Sequence, residues 1–234
     1  MRRICLFAGY DKDNKIQDYV VYLIKELSKI SEVYFMGNGR FPPDELFKIA
    51  PYTQMFYSQR MPLKDFGCWQ YLIAKLGWEK LEKYDELILC NDSVYGPLYN
   101  LEDFFRFMEH KGYDFWSATS DYESHFHLHS YCMAFTQDVI KNAQFHKFWR
   151  SIPFSYDANN CEMELTPLLT EQGFIGNSYI RTFKQENILH NPVQMLQDHQ
   201  APFIKVKSFL PENDYTAGTG IEPVSYTHLT LPTT

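Results

Sequence analysis

The chain has no apolar run long enough to span a bilayer or to act as a secretion signal: after Arg2 and Arg3, the stretch Ile4 to Ala8 is short and ends in polar residues. A soluble, cytoplasmic protein is expected, with at most peripheral contact to the inner face of a membrane. There is no block of like charge and no basic surplus. With a formal net charge of −7, the chain lacks the cationic surface that displaces counterions from nucleic acid. A small diphosphate is still allowed, because a few local donors or a divalent ion suffice for it. The five cysteines, Cys5, Cys68, Cys90, Cys132 and Cys161, are odd in number and form no CxxC pair, which argues against a zinc knuckle and suits a reducing compartment. HExxH spacing is absent, and no Gly-rich loop or HRD motif accompanies Asp65-Phe66-Gly67 to make a kinase of it. Neither a repeat nor a linker divides the chain, so one α/β domain is expected.

What the chain does have is aromatic residues, 17% of the total against 45% hydrophobic and 22% charged. Most of that excess fills a core, and the same rings suit stacking on sugars or nucleobases. The opening run RICLFAG reads as a buried strand, with Cys5 as a small hydrophobe. An amphipathic helix follows with Ile16, Val20, Leu23, Ile24 and Leu27 on one face and Asp13 as its N-cap. A second strand spans Val33 to Met36, and strand–helix–strand implies a parallel sheet. Residues 41 to 64 read as loop with a short helix near Asp44 to Ile49, and Tyr71 to Leu81 as a helix. Leu87 to Cys90 is the strongest strand. Asn100 and Asp103 open a helix that Gly112 stops. Further strands are expected at Tyr113 to Ala118 and Ser130 to Phe135, then a helix capped by Thr136, then a helix from about Met163 to Glu171.

Several residues along this pattern carry chemistry. Asp92 follows the best strand directly, flanked by Asn91 and Ser93, at the sheet edge where open α/β folds bind ligands. A carboxylate there either holds a divalent cation against a leaving diphosphate or caps a loop. Glu164, read as the start of a helix whose dipole favours its charge, is the candidate base, with Glu162 and Asp121 as alternatives. His125, His127 and His129 alternate and would share one face of a strand. That face suits a transition metal only if further ligands close the site.

The blocks CLFAGYDKDNKIQDYVVYLIKELSKI, DFGCWQ, YDELILCNDSVYGPL, HSYCMAF and PFIKV, in this order, resemble the rhamnan synthesis protein F family. The resemblance implies a Rossmann-like, glycosyltransferase A-type α/β domain with a mostly parallel central sheet. It further implies an inverting transfer of a sugar, rhamnose, from a nucleotide-sugar donor such as dTDP-rhamnose to a lipid-linked glycan in cell-wall or O-antigen synthesis. A catalytically inactive glycan-binding or scaffolding domain is the alternative. On the resemblance, Asn91-Asp92-Ser93 stands in place of a DxD metal motif with only one acid, which leaves a divalent cation (Mg²⁺ or Mn²⁺) on Asp92 open. Asp11, Asp13, Asp65 and Gly67 fall where such enzymes touch the donor nucleotide. Glu164 falls in the block that carries the catalytic acid residue, and His129, Ser130 and Tyr131 lie on the acceptor side. The stretch 217–234, AGTGIEPVSYTHLTLPTT, differs in composition from the domain at 1–216 and resembles translated adapter sequence. It is expected to be foreign to a domain whose native C-terminal portion is missing.

Overall fold

A computed structural model describes residues 1–62, 64–122, 125–152, 158–181 and 191–209; the 217–234 tail lies outside them. The continuously apolar strand β1 (Arg3–Gly9) leads through helix α1 (Asp18–Ser28) to β2 (Glu32–Gly37). Helix α2 (Pro43–Phe47), a 3₁₀ turn at Ala50–Tyr52 and strand β3 (Met55–Ser58) follow. Helices α3 (Lys64–Leu76) and α4 (Trp78–Leu81) return the chain to β4 (Glu86–Asn91) and the two-residue β5 (Val94–Tyr95). Beyond them come α5 (Leu101–Glu109), β6 (Phe115–Asp121), β7 (His127–Leu128) and β8 (Cys132–Thr136). The last elements are α6 (Gln137–Ile140), α7 (Ala143–Ser151), α8 (Ala158–Glu171), β9 (Gly176–Arg181), α9 (Pro192–Gln197) and β10 (Ile204–Lys205), closed by a 3₁₀ turn at Val206–Phe209.

The main sheet has the order β3-β2-β1-β4-β8-β6-β7, with β9 also paired to β6. Strands β3, β2, β1 and β4 are mutually parallel, β8 is antiparallel to both β4 and β6, and β9 runs parallel to β6. This is the α/β, Rossmann-like, mostly parallel arrangement that the sequence implies. Alternate residues of β1 enter opposite cores. Ile4, Leu6 and Ala8 join the core formed with α3, α6, α7 and α8, whereas Cys5 and Phe7 join that formed with α1 and α5. In β4, Leu87 and Leu89 likewise face the first core, Ile88 and Cys90 the second. Burial on both faces is why these strands read as unbroken apolar runs. All five cysteines are free and buried. Among the described residues no helix is long and apolar enough to cross a membrane.

The local expectations need four corrections. Asp13 does not cap α1: the N-cap is Gln17, without a side-chain bond, although Ile16, Val20, Leu23, Ile24 and Leu27 are all buried as expected. The segment read as loop contains β3, a half-exposed edge strand whose pattern is too weak to see locally. The helix at 71–81 starts earlier, at Lys64, and is broken by Gly77 at φ +76°, so Asp65-Phe66-Gly67 is helical. Thr136 makes no side-chain cap, and its helix divides at Asn142, whose side-chain oxygen accepts from the backbone N–H groups of Gln144 and Phe145 at 2.8 and 3.0 Å. Removing that cap, Asn142→Ala, is expected to cost about 1 kcal/mol. Thermal denaturation should then show a midpoint lower by about 2–4 °C.

Candidate functional site

The order β3-β2-β1-β4 means that the chain builds outward from β1 on one side and then crosses to the other. The C-terminal ends of the parallel neighbours β1 and β4 therefore lie side by side where the strand order reverses, at the crevice where such folds receive ligands. β1 ends at Gly9. A Cβ there would sit 2.7 Å from the Phe35 ring, which would have to shift, whereas its 3.7 Å approach to Asp92 Oδ2 is ordinary contact. Beyond it, the Tyr10 backbone N–H donates to Asp92 Oδ2 at 2.5 Å, and Tyr19 Oη donates to the Asp92 carbonyl at 3.0 Å.

A line of hydrogen bonds runs across the crevice floor. Asn91 Nδ2 donates to Asp65 Oδ2 at 2.7 Å, Ser93 Oγ donates to Asn91 Oδ1 at 2.6 Å, and Lys205 Nζ donates to Ser93 Oγ at 3.1 Å. The two residues of the Asn91-Asp92-Ser93 turn that are not acidic thus tie a carboxylate on α3 to an ammonium on β10. On the other wall, Ser130 N–H donates to Glu162 Oε1 at 2.5 Å. Thr119 Oγ1 donates to Tyr131 Oη at 2.8 Å and lies 2.9 Å from His129 Nδ1.

Asp65, Asp92 and Lys205 are each half-buried, partly withdrawn from water. Burial, and then the neighbouring Asp65 charge, push the Asp92 carboxyl well above the usual carboxylate range. Burial pushes Asp65 up to about 6 against the opposing pull of Lys205 and the Asn91 amide. Burial draws Lys205 down while Glu162 and Asp65 push it back up. Two neighbouring carboxylates with raised pKa values, beside a half-buried cation, are a pattern that marks binding and catalytic clefts.

The expected residues divide as follows. Asp65, Asn91, Asp92 and Ser93 are joined in the crevice, and Gly67 is buried two residues beyond Asp65 in α3. Asp11 sits at the rim after β1 and accepts from Asp13 N–H, Lys15 N–H and Gln17 Nε2 at 2.8, 3.1 and 3.0 Å. Burial opposes its ionisation, but the Gln17 and backbone hydrogen bonds outweigh burial and lower its pKa. Asp13 is exposed in the same turn. Asp121 ends β6 at the same edge of the sheet, half-buried, with Tyr122 N–H donating to it at 2.6 Å. His129, Ser130 and Tyr131 line the β8 side.

Glu164 needs correction on its local premise. Helix α8 begins at Ala158, so Glu164 lies well inside it and is exposed, whereas Glu162 is half-buried and reaches the Ser130 loop. Of the histidines, only His127 lies in a strand, with ring centroids 6.1 Å from His125 and 5.6 Å from His129. Among the described residues no group of three or more His, Cys, Asp or Glu is arranged to hold a metal ion. Lys205 is the site residue that sequence reasoning passed over. Its one signal was a lysine inside the apolar block PFIKV.

A family profile described as rhamnan synthesis protein F matches residues 33–225. An uncharacterized protein, y4gN, of Sinorhizobium fredii is 24% identical over 173 residues, a match covering 70% of this chain. The same match covers 45% of y4gN, so the chain spans less than half the length of that relative. Among solved structures, the glycosyltransferase GlyE of Streptococcus pneumoniae superposes with a TM-score of 0.47 at 12% identity, over 86% of this chain and 48% of that one. Core-mannan synthase A of Aspergillus fumigatus, in a Mn/GDP form, gives 0.43 at 12% identity, over 77% and 72%.

Proposed function

Since the chain belongs to the rhamnan synthesis protein F family, we propose that it is a glycosyltransferase whose donor, a nucleotide-sugar, binds in the crevice between the ends of β1 and β4. The observation that carries this reading is the Asp65–Asn91–Ser93–Lys205 line with Asp92 beside it. It sets acids and one cation at the switch point of the sheet, where a sugar diphosphate presents hydroxyls at one end and negative charge at the other. Asp11, at the rim, would contact the ribose or base. Asp92 and Asp65 accept hydroxyl hydrogens from the sugar.

The same pair also matches the hard oxygen donors of Mg²⁺ or Mn²⁺. Both carboxylates would then hold the ion, with phosphate oxygens completing its shell, and a bound ion would neutralise charge on the leaving diphosphate. In that arrangement Asp65 would act as the second acid that the Asn91-Asp92-Ser93 turn lacks in sequence.

In the transfer itself, an acceptor hydroxyl attacks the anomeric carbon from the face opposite the diphosphate. A carbon–oxygen bond forms there as the bond to the phosphate oxygen breaks with its electron pair. The acceptor proton passes to a carboxylate, for which Glu162 is placed on the acceptor wall beside Ser130 and Tyr131 and Asp121 is the alternative. Inversion at the sugar follows from this single displacement. The proposal extends to rhamnose as the sugar, dTDP-rhamnose as the donor, a lipid-linked surface glycan as the acceptor and work at the inner membrane face, supported by the description of the family as rhamnan synthesis protein F.

A thermal-shift panel of dTDP-, UDP- and GDP-sugars, each with and without Mn²⁺, is expected to raise the melting temperature with one nucleotide class. A ligand present at 100 times its Kd stabilises by about 2.7 kcal/mol, or roughly 5–10 °C for a domain of this size. If no nucleotide sugar shifts the midpoint or turns over, a non-catalytic glycan-binding or scaffolding role takes its place.

A further inference from the structure

Building on the transferase reading above, we propose that Lys205 receives the donor's diphosphate and neutralises it as it leaves, a role the chain's own ammonium fills without a metal ion. The lysine is held for this by β10, which pairs antiparallel with β5 so that Lys205 stands opposite Val94, while Val206 N–H donates to the Ser93 carbonyl at 2.9 Å. These bonds fix β10 against the turn that carries Asp92. The Nζ atom lies 4.6 Å above the centre of the Tyr131 ring and donates to Ser93 Oγ at 3.1 Å.

An ammonium has three donors. Among the described residues Lys205 uses one of them, on Ser93, and makes no ion pair with a carboxylate. A cation placed only to balance buried acids would touch them, as Arg3 touches Glu86 at 2.8 Å in this same molecule. Lys205 instead faces the negative charge of Glu162 and Asp65 without contact, and, half-buried at the end of β10, it keeps two N–H donors for a ligand. The Asp65–Asn91–Ser93–Lys205 line also fixes polarity. Its acidic end repels phosphate and suits sugar hydroxyls, and its basic end attracts the diphosphate.

When the anomeric carbon–oxygen bond breaks, its electron pair stays on the β-phosphate oxygen. The nucleoside diphosphate gains one negative charge, and the two remaining N–H donors of Lys205 meet it. The acceptor's proton has gone to the carboxylate base, so charge and protons balance without any further reactant.

The test measures the affinities of uridine, thymidine and guanosine mono- and diphosphates for the full chain by titration calorimetry, in EDTA and again in Mn²⁺. The wild-type protein is expected to prefer one diphosphate over its monophosphate by roughly tenfold or more in EDTA, the scale of a charge-assisted hydrogen bond. K205Q and K205M should each bring that ratio close to one, and K205R should restore most of it. Melting curves confirm that the variants are folded, with the methionine variant keeping length and apolar packing if the glutamine variant is not.

An unchanged ratio in the folded neutral variants, or a wild-type preference that appears only with Mn²⁺, overturns the assignment to Lys205 and leaves the transferase reading in place. Wild-type protein that binds no nucleotide overturns both.

Discussion

Glu162→Gln is expected to cut sugar transfer by on the order of 10²–10⁴-fold, the usual contribution of a positioned general base. Donor affinity should stay within about twofold, because acceptor deprotonation occurs only on the way to the transition state and adds little to ground-state binding. The amide keeps the shape of the side chain, and its Oε1 still accepts the Ser130 N–H held at 2.5 Å, so the acceptor-side loop keeps its place. What is lost is the capacity to take a proton.

Single-turnover rates with a membrane-extracted acceptor, alongside donor titrations, separate the two quantities. Glu164→Gln serves as the control. Its carboxylate is exposed on the outer side of α8, and that variant is expected to retain wild-type turnover. If Glu164→Gln loses activity while Glu162→Gln keeps it, the roles are reversed. If both keep it, Asp121 at the end of β6 becomes the base to test.

Asp92→Asn is expected to do two things in opposite directions: weaken donor binding by roughly 10–100-fold, the scale of hydrogen bonds to a charged group, and stabilise the ligand-free protein. The first follows from removing an acceptor for the sugar or a cation. The second follows from relieving the repulsion between two half-buried carboxylates, since Asn Oδ1 still accepts the Tyr10 N–H and the Asp92 charge no longer stands near Asp65.

Asp65 makes the stability half of this testable against pH. Its pKa is pushed up to about 6 by burial, against about 4 in an unfolded chain. Between about pH 4 and pH 6 the native state holds a proton that the unfolded state has released, so stability falls as pH rises through that window. Asp65→Asn removes this loss. Its melting temperature relative to wild type should therefore climb as pH goes from about 4 to 7, by an amount corresponding to on the order of 1–3 kcal/mol. A constant offset across that range would show that Asp65 is ionised in the native state throughout. Binding sites commonly give up stability in this way, with like charges held in place for a ligand that separates them.

Several features of this protein were determined locally and could be read from the sequence. Strands β1 and β4 are buried on both faces, and continuous apolar runs such as Ile4 to Ala8 and Leu87 to Cys90 have no other stable use in a chain of this composition. The cap at Asn100 depends on a contact three residues away, with Asp103 N–H donating to Asn100 Oδ1 at 3.1 Å, and so it was legible. Asp92 at the sheet edge followed from the strand that precedes it.

What the sequence did not show are the facts that depend on helix phase and on pairing between distant segments. Glu162 and Glu164 are two residues apart, which on a helix of 3.6 residues per turn is about 200°. Only the true start of α8 and its packing through Leu165 and Leu169 decide which of the two faces the site. Asp65 enters the crevice because α3 begins at Lys64 and not at Tyr71, and it reaches Asn91 across 26 residues of chain. Lys205 lies 112 residues from Ser93. No local pattern encodes that contact. It exists because β10 pairs with β5 beside the turn that ends β4, and the charge of the site is completed there by tertiary structure alone.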